Sequence, residues 1–282
     1  METKRVGTRD VHPIGIGTWG MGGDRLSDGN PYADYRRDDR EVEAIRYSIA
    51  NGQNHIDTAQ LYGAGHTEEI VGRALEGLDR SKLFIATKVW RSHSLRNAVP
   101  KAAEDSLRKL GVDTIDLLYV HAPWDAIAME EYVGGLDDAV DHGLARAIGV
   151  SNFNLNQLKQ AVALSKHPIA AIQLLYNILE HGLVTEEMRR YCAEHEIAIV
   201  AYRPVERRRL ADQVENRAVK EIAARHGRPA SQVAISWLIS QPGVVTIPKA
   251  SSPEHIDENL GALDLELSEE EMATLSAVES AR

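Results

Sequence analysis

Residues 83–123, LFIATKVWRSHSLRNAVPKAAEDSLRKLGVDTIDLLYVHAP, decide the fold because they hold a strand, a helix and a second strand in a row. The runs LFIATK (83–88) and IDLLYVH (115–121) are rich in aliphatic and β-branched residues with little alternation, which is typical of parallel strands buried on both faces. The stretch VPKAAEDSLRKLG between them has helical spacing and ends on Gly111, a residue common just after a helix. Together they predict one strand–helix–strand unit of a parallel sheet.

The same alternation of strands and helices continues along nearly the whole chain. Six further strand candidates share the apolar composition: IGIG (14–17), HID (55–57), AIGV (147–150), AIQL (171–174), IAIVAY (197–202) and VVTI (244–247). Eight strand-then-helix units predict an α/β protein, either a closed barrel or a doubly wound open sheet. The count of eight and the even spacing favour a (β/α)8 TIM barrel. The opening TKRVGTRDVH predicts a short N-terminal β-hairpin, and the lack of a Pro/Gly/Ser-rich linker predicts a single domain over residues 1–282.

The composition narrows the class of protein further. A length of 282 residues suits one such barrel, which typically runs to about 250 residues. The net charge of −10 disfavours binding to nucleic acid or to an anionic membrane. The single cysteine, Cys192, fits a reducing compartment and a structural role. With no apolar segment resembling a signal peptide or a membrane span, we predict a cytoplasmic protein, by default a monomer.

Four polar residues of different chemistry fall at the ends of successive predicted strands. Asp57, Lys88 and His121 end the second, third and fourth strands, and Tyr62 lies in the loop after the second. Any one of them alone would be read as an ordinary residue of the barrel rim. In this fold, chemistry is located on the C-terminal face, where strand ends converge. All four at one rim therefore predict a catalytic site.

The four residue types suit the reduction of a carbonyl group. Reduction needs a hydride for the carbon and a proton for the oxygen, and a tyrosine with its ordinary pKa near about 10 is a poor proton donor at neutral pH. The ammonium of Lys88 beside Tyr62 would favour the phenolate and lower that pKa. Asp57 would keep Lys88 charged, and His121 would donate a hydrogen bond to the carbonyl oxygen. The pattern predicts a nicotinamide-dependent reductase.

The ordered motifs GIGTW, IDTAQLYG, TKV, YVHAP, GVSNF, IQLLYN, AYRPV and IPKASSPEHIDENL resemble those of the aldo-keto reductases over essentially the full chain. This resemblance implies that Asp57, Tyr62, Lys88 and His121 are the catalytic tetrad and that Tyr62 is the general acid. It also implies an NADPH site, in which Ser151, Asn152 and Gln173 hold the carboxamide and Tyr202 stacks under the nicotinamide. The remaining implied cofactor contacts are Gly17, Thr18, Trp19, Arg203, Pro204, Ile247, Lys249, Ser251, His255, Glu258 and Asn259.

The segment IPKASSPEHIDEN after the last strand predicts the adenosine end of this site. A lysine followed by small residues and a helix N-terminus suits an anion, and the resemblance places Lys249 near the 2′-phosphate. Where phosphorylated-cofactor members of the family have an arginine, this chain has His255. Imidazole cannot match the bidentate grip of a guanidinium. NADPH is therefore the expected cofactor, with NADH also possible.

Four large apolar or aromatic residues that follow predicted strands predict a wall of the substrate pocket. Met21, Trp90 and Trp124 follow the first, third and fourth strands, and with Trp19 they suit an apolar or aromatic carbonyl compound, although large aromatics are often simple core residues. The long irregular stretch at 20–37 is expected to border the site. The run ERRRLADQ (206–213) suits either a loop over the cofactor pyrophosphate or a solvated surface.

Other functions fit the sequence less well. The match of GIGTWG (15–20) to a dinucleotide fingerprint fails because a loop, rather than a helix, follows it. A Schiff-base lyase acting through Lys88 would leave the cofactor motifs unexplained. A metal hydrolase is disfavoured because none of the 11 histidines forms an H-x-H or H-E-x-x-H pattern. A non-catalytic cofactor-binding subunit stays open, since a complete fold need not turn over.

Overall fold

The predicted barrel is present in the structure, a computed structural model that describes residues 3–25, 29–93, 95–205 and 217–278. Eight parallel strands form its sheet: β3 (Ile16–Gly17), β6 (His55–Asp57), β7 (Phe84–Val89), β8 (Leu117–Val120), β9 (Ile148–Ser151), β10 (Ile169–Leu175), β11 (Ala198–Tyr202) and β12 (Val244–Thr246). Each strand lies within two residues of its predicted position, because the apolar runs are buried on both faces.

The sheet closes between its first and last strands. Parallel bridges join Ile14 to Thr246 and Gly17 to Lys249. The Gly15 amide donates to the Thr246 carbonyl at 2.7 Å, and the Thr246 amide donates to the Pro13 carbonyl at 2.9 Å. Closure leaves no open edge in the sheet, as expected for a barrel rather than a doubly wound sheet.

Helices follow the strands and cover the outside of the barrel. Those described are α1 (Asp38–Ala50), α2 (His66–Leu75), α3 (Val99–Leu110), α4 (Met129–Asp141), α5 (Leu155–Leu164), α6 (Glu186–Glu194), α7 (Arg217–His226), α8 (Ala230–Ile239), α9 (Pro253–Leu260) and α10 (Glu269–Ser276). Local sequence sets several of their ends. Asn154 and Gln157 form a capping box at the start of α5, and Gly111 ends α3 in a left-handed conformation. In the described ranges no helix is both long and apolar enough to cross a bilayer.

The predicted N-terminal hairpin seals the bottom of the barrel. It consists of β1 (Lys4–Val6) and β2 (Arg9–Val11), joined at Gly7 with φ +56°. Val6 and Val11 pack on the inward side chains of the barrel strands, among them Phe84 and Leu117. Because side chains alternate along a strand, the inward face that begins at Phe84 ends at Lys88 on the opposite rim. The barrel interior is therefore mainly apolar at the bottom, apart from the fully buried His55 beside Phe84, and ionic at the top.

The described residues on both sides of positions 26–28 form regular structure that the sequence did not indicate. They include a second hairpin, β4 (Gly23–Arg25) and β5 (Pro31–Ala33), in which Asp24 pairs with Tyr32. The Gly/Asp/Pro-rich composition indicated only an irregular loop. This hairpin packs against the turn Tyr62–Gly65, and so it borders the rim where the polar residues lie.

The only cysteine is structural, as predicted. Cys192 lies on the buried side of α6, with 2% of its surface exposed. Burial raises the pKa of its thiol to about 12. A thiol with so high a pKa carries almost no nucleophilic thiolate at neutral pH.

Candidate active site

The four polar residues at the strand ends meet on the C-terminal rim. Asp57 is the last residue of β6, Lys88 lies near the end of β7, and His121 directly follows β8. Tyr62 begins a short 3₁₀ turn, Tyr62–Gly65, in which Gly63 has φ +54°. A Cβ at Gly63 would lie 2.4 Å from the Gly22 carbonyl oxygen. The turn after Tyr62 therefore packs directly on the backbone of the 20–37 stretch.

Lys88 is the centre of this cluster. Its Nζ donates to Asp57 Oδ1 at 2.6 Å, to the Thr58 carbonyl at 2.8 Å and to the Tyr62 hydroxyl at 3.3 Å. The side chains of Lys88 and Asp57 are 0% and 2% exposed. Burial by itself lowers the pKa of Lys88, but the charge of Asp57, followed by Tyr62, outweighs it and holds that pKa above its usual value. The amine is therefore a buried cation in contact with a phenol.

Aromatic rings surround the phenol of Tyr62. Its ring lies edge-on to Trp19, with centroids 4.9 Å apart, and edge-on to His121 at 5.7 Å. Trp90 also lies edge-on to His121, with ring centroids 5.2 Å apart. Tyr62 and His121 both line a large cavity, whereas Lys88 lies buried behind Tyr62. A carbonyl oxygen entering the cavity would meet the phenol and the imidazole together.

The cavity has a volume of about 1080 Å³ and opens on this rim. All fifteen residues predicted as cofactor contacts line it: Gly17, Thr18, Trp19, Ser151, Asn152, Gln173, Tyr202, Arg203, Pro204, Ile247, Lys249, Ser251, His255, Glu258 and Asn259. Ligand cavities of proteins commonly measure about 300–1,000 Å³. This one is large enough for an extended ligand such as a dinucleotide.

Hydrogen bonds tie the predicted nicotinamide contacts to the predicted catalytic residues. The Tyr202 hydroxyl donates to Asn152 Oδ1 at 2.8 Å, and Asn152 Nδ2 donates to the His121 carbonyl at 3.0 Å. Gln173 Nε2 donates to Asp57 Oδ2 at 2.8 Å, a contact that the sequence did not indicate. Asn152 and Arg203 hold left-handed backbone conformations, with φ +62° and +52°, which are uncommon outside glycine. A hydroxyl, two amides and an aromatic ring are thus gathered at one wall, a set suited to a carboxamide-bearing ring.

The opposite end of the cavity lies at the start of α9. Lys249 Nζ donates to Ser251 Oγ at 2.9 Å, just before this helix. Burial lowers the pKa of Lys249 below its usual value, and the charge of Glu41 offsets this only in part. Glu258 already accepts a hydrogen bond from Ser231. The end combines a cation with the N-terminus of a helix, as predicted for a phosphate.

The predicted substrate wall is only partly found. Of its four residues, Trp19 lines the cavity. Met21 is wrong as a wall residue, because it is fully buried in the core with Ile45 and Ile70. Trp90 packs beside Leu61 and Tyr62, and Trp124 packs against the main core, and neither lines the cavity.

Eight cavity residues were missed, four of them in the 20–37 stretch (Gly20, Asp24, Tyr32 and Arg37) and four elsewhere (Val205, Pro229, Ala230 and Ser231). The sequence had only placed the 20–37 stretch near the site. One predicted segment, the run at 206–213, lies outside the described residues. In the ranges that the structure covers, no group of three or more His, Cys, Asp or Glu side chains is arranged to bind a metal ion.

Known proteins resemble this chain in sequence and in structure. The profile of the Aldo/keto reductase family matches residues 13–280. Methylglyoxal reductase YeaE of Escherichia coli (strain K12) is 35% identical over 266 residues, covering 93% of this chain and 89% of that protein. The 9,11-endoperoxide prostaglandin H2 reductase of Trypanosoma cruzi (strain CL Brener) is 34% identical, covering 92% and 84%.

Two solved structures share the whole fold. The thermostable aldo-keto reductase Tm1743, in complex with the inhibitor epalrestat, superposes with a TM-score of 0.91 at 38% identity and covers 99% of this chain and 98% of that one. An aldo/keto reductase from Klebsiella pneumoniae, in complex with NADP and acetate, gives a TM-score of 0.86 at 33% identity, covering 99% and 96%.

Proposed function

We propose that this chain, which belongs to the aldo/keto reductase family and is an NAD(P)H-dependent oxidoreductase, reduces aldehydes or ketones to alcohols with Tyr62 as the proton donor. One observation carries the proposal. The Tyr62 hydroxyl lies 3.3 Å from the buried Lys88 ammonium and faces the cavity beside His121. The reverse oxidation would use the same groups, with Tyr62 as the base.

In the proposed mechanism the chain supplies the proton and the orientation. When bound in this cavity, the nicotinamide cofactor would supply the hydride for the carbonyl carbon. Tyr62 donates its proton to the carbonyl oxygen, and Lys88 stabilises the phenolate that remains. Asp57 keeps Lys88 charged, and His121 orients the carbonyl oxygen by a hydrogen bond. Tyr62 then regains a proton from solvent, and the alcohol leaves.

The residues of the cavity fit a nicotinamide dinucleotide. We assign the carboxamide to Ser151, Asn152 and Gln173 and the nicotinamide face to Tyr202, because these groups meet beside His121. We assign the 2′-phosphate of NADPH to Lys249 and the start of α9. NADPH is the proposed preference, and His255 in place of an arginine leaves room for NADH. Tighter binding of NADH than of NADPH would overturn that preference.

The substrate is proposed to be a small carbonyl compound, apolar or aromatic in part. Trp19 and Tyr32 offer aromatic surface, while Asp24 adds a carboxylate that disfavours anionic substrates. Methylglyoxal is a sensible first compound, since one relative is named for its reduction. We also propose a single domain, a monomeric state and a cytoplasmic location, which rest on the sequence alone.

The Schiff-base alternative loses support from the surroundings of Lys88. A lysine that forms a Schiff base needs a neutral amine, and its pKa is usually lowered for that purpose. Here the pKa of Lys88 is raised, and the side chain is 0% exposed behind Tyr62. Trapping of a carbonyl on Lys88 by borohydride would revive the alternative.

The test compares Tyr62→Phe with Tyr35→Phe. Tyr62→Phe removes only the hydroxyl, so NADPH should still quench tryptophan fluorescence, whereas kcat should fall about 10²–10⁴-fold, the usual contribution of general acid–base catalysis. Tyr35 is 66% exposed and lies outside the cavity lining, so Tyr35→Phe should keep full activity. Unchanged turnover in Tyr62→Phe would reject the mechanism.

A further inference from the structure

Arg37 is a cavity residue for which neither the sequence nor the proposed mechanism has a use. It ends a short 3₁₀ helix just before α1 and lines the cavity with Lys249 and Ser251. Its Nη2 donates to the Gly20 carbonyl at 3.2 Å. Its side chain is 48% exposed, so the guanidinium keeps donors available to a ligand.

A buried carboxylate holds Arg37 at this place. Glu41, one turn further along α1, is 1% exposed and accepts a hydrogen bond from the Gly22 amide at 2.7 Å. Its other oxygen, Oε1, lies 3.5 Å from Arg37 Nη2. Burial raises the pKa of Glu41, while the Gly22 amide and the charges of Arg37 and Lys249 lower it. Burial is the larger effect, so the pKa of Glu41 lies above its usual value. Arg37, Glu41 and Lys249 form one group of interacting ionisable side chains beside the cavity.

Arg37 lies between the two ends of the cavity. Gly20 directly follows Trp19, which packs on Tyr62 at the reaction end. Lys249 is bridged to Gly17 and leads into α9 at the adenosine end. Arg37 interacts with both sides, through the Gly20 carbonyl and through its charge on Lys249. It therefore lies between the two ends, where the diphosphate of a dinucleotide must cross.

We propose that Arg37 binds the pyrophosphate of the nicotinamide cofactor, which makes it a determinant of affinity for NADPH and NADH alike. This inference rests on the cofactor assignment made above. A guanidinium offers paired N–H donors that match phosphate oxygens. Among the described residues that line the cavity, the other lysine and arginine residues are Arg203 and Lys249. The two negative charges of the pyrophosphate need a cationic partner such as the Arg37 guanidinium. In the free protein that guanidinium pairs with Glu41.

The experiment measures the Kd of NADPH and of NADH by fluorescence quenching and calorimetry. Arg37→Gln should weaken both cofactors by about 10-fold or more, as expected for the loss of a charge-assisted hydrogen bond. The ratio of the two Kd values should stay within about twofold of the parent. Arg37→Lys keeps the positive charge but loses the paired N–H donors of the guanidinium. Its Kd values should therefore lie between those of the parent and those of Arg37→Gln.

Two further variants serve as controls. Arg36 belongs to the same 3₁₀ helix, is 85% exposed and pairs with Asp34, so Arg36→Gln should leave both Kd values unchanged. Lys249→Met should weaken NADPH more than NADH, because we assign Lys249 to the 2′-phosphate that only NADPH carries.

Each outcome decides between the two proposals. Parallel weakening of both cofactors by Arg37→Gln supports the pyrophosphate assignment. Weakening of NADPH alone would make Arg37 a reader of the 2′-phosphate and overturn it. An unchanged Arg37→Gln would overturn it while leaving the reductase intact. If the parent protein binds neither dinucleotide, the cofactor assignment fails, and the role of Arg37 fails with it.

Discussion

Breaking the ion pair between Asp57 and Lys88 should cost stability as well as activity. The two charged atoms are 2.6 Å apart, and both side chains are almost fully buried. Removing one partner leaves the other charge buried without compensation, which typically costs 3–5 kcal/mol. We therefore expect Asp57→Asn and Lys88→Met each to lower the free energy of unfolding by about 3–5 kcal/mol.

The double variant gives the sharper test. Asp57→Asn with Lys88→Met leaves no buried charge of the pair, so its loss of stability should be close to that of one single variant, not to their sum. The coupling free energy is then about 3–5 kcal/mol. Urea unfolding of the four proteins measures it, with equal m-values as the check that the unfolded states are comparable. Turnover should be lost in all three variants.

An exposed ion pair provides the matched control. Arg96 Nε lies 2.8 Å from Asp138 Oδ2, but the two side chains are 57% and 28% exposed. Asp138→Asn should therefore cost less than about 1 kcal/mol. Additive effects at Asp57 and Lys88, or single costs no larger than that of Asp138→Asn, would refute the claim that the Lys88 ammonium is held by burial and pairing.

Two further predictions concern the barrel floor and the Tyr62 turn. Burial lowers the pKa of His55 from 6.5 in the unfolded chain to about 4 in the folded protein. The contribution of His55 to the free energy of unfolding is therefore complete above pH 6.5. It falls by about 3 kcal/mol as the pH drops from 6.5 to 4, because only the unfolded chain binds a proton there. His55→Leu should thus lose less stability than the parent over that range in urea unfolding, and equal losses would contradict this. Gly63→Ala meets the Gly22 carbonyl at 2.4 Å, whereas Gly77→Ala, also at positive φ (+77°), meets nothing within 4 Å. Both variants should lose about 1–2 kcal/mol of stability to backbone strain. Only Gly63→Ala should lose further stability and have a lower kcat. Equal unfolding midpoints and equal activities of the two variants would show that the close approach to the Gly22 carbonyl does not matter.

The strands and the residues at their ends could be predicted because both follow from local sequence. Buried parallel strands are continuous apolar runs, so Asp57, Lys88 and His121 stand out where the runs stop. The closed barrel then brings strand ends together whatever the loops do. This is why Asp57, Lys88 and His121, distant in sequence, could be expected at one rim, with Tyr62 close to Asp57 in the loop that follows β6.

The residues of the long stretch after β3 could not be predicted in the same way. Whether Met21 points into the core or into the cavity depends on glycines at 20, 22 and 23, whose positive φ values redirect the chain. Arg37 enters the cavity only because of where α1 begins. The bond from Gln173 to Asp57 joins β10 to β6 across the barrel, and no spacing along the chain encodes it.

The left-handed backbone of Asn152 and Arg203 has a consequence for how fast a ligand is captured. Each residue directly follows a barrel strand. The Tyr202 hydroxyl donates a hydrogen bond to Asn152 Oδ1, and the side-chain amide of buried Asn177 donates one to the Arg203 carbonyl. Their unusual shape is therefore set when the protein folds. If a dinucleotide binds at this wall as proposed, these two strand ends are already ordered before it arrives, and its capture there would be governed by encounter and charge rather than by a slow conformational step.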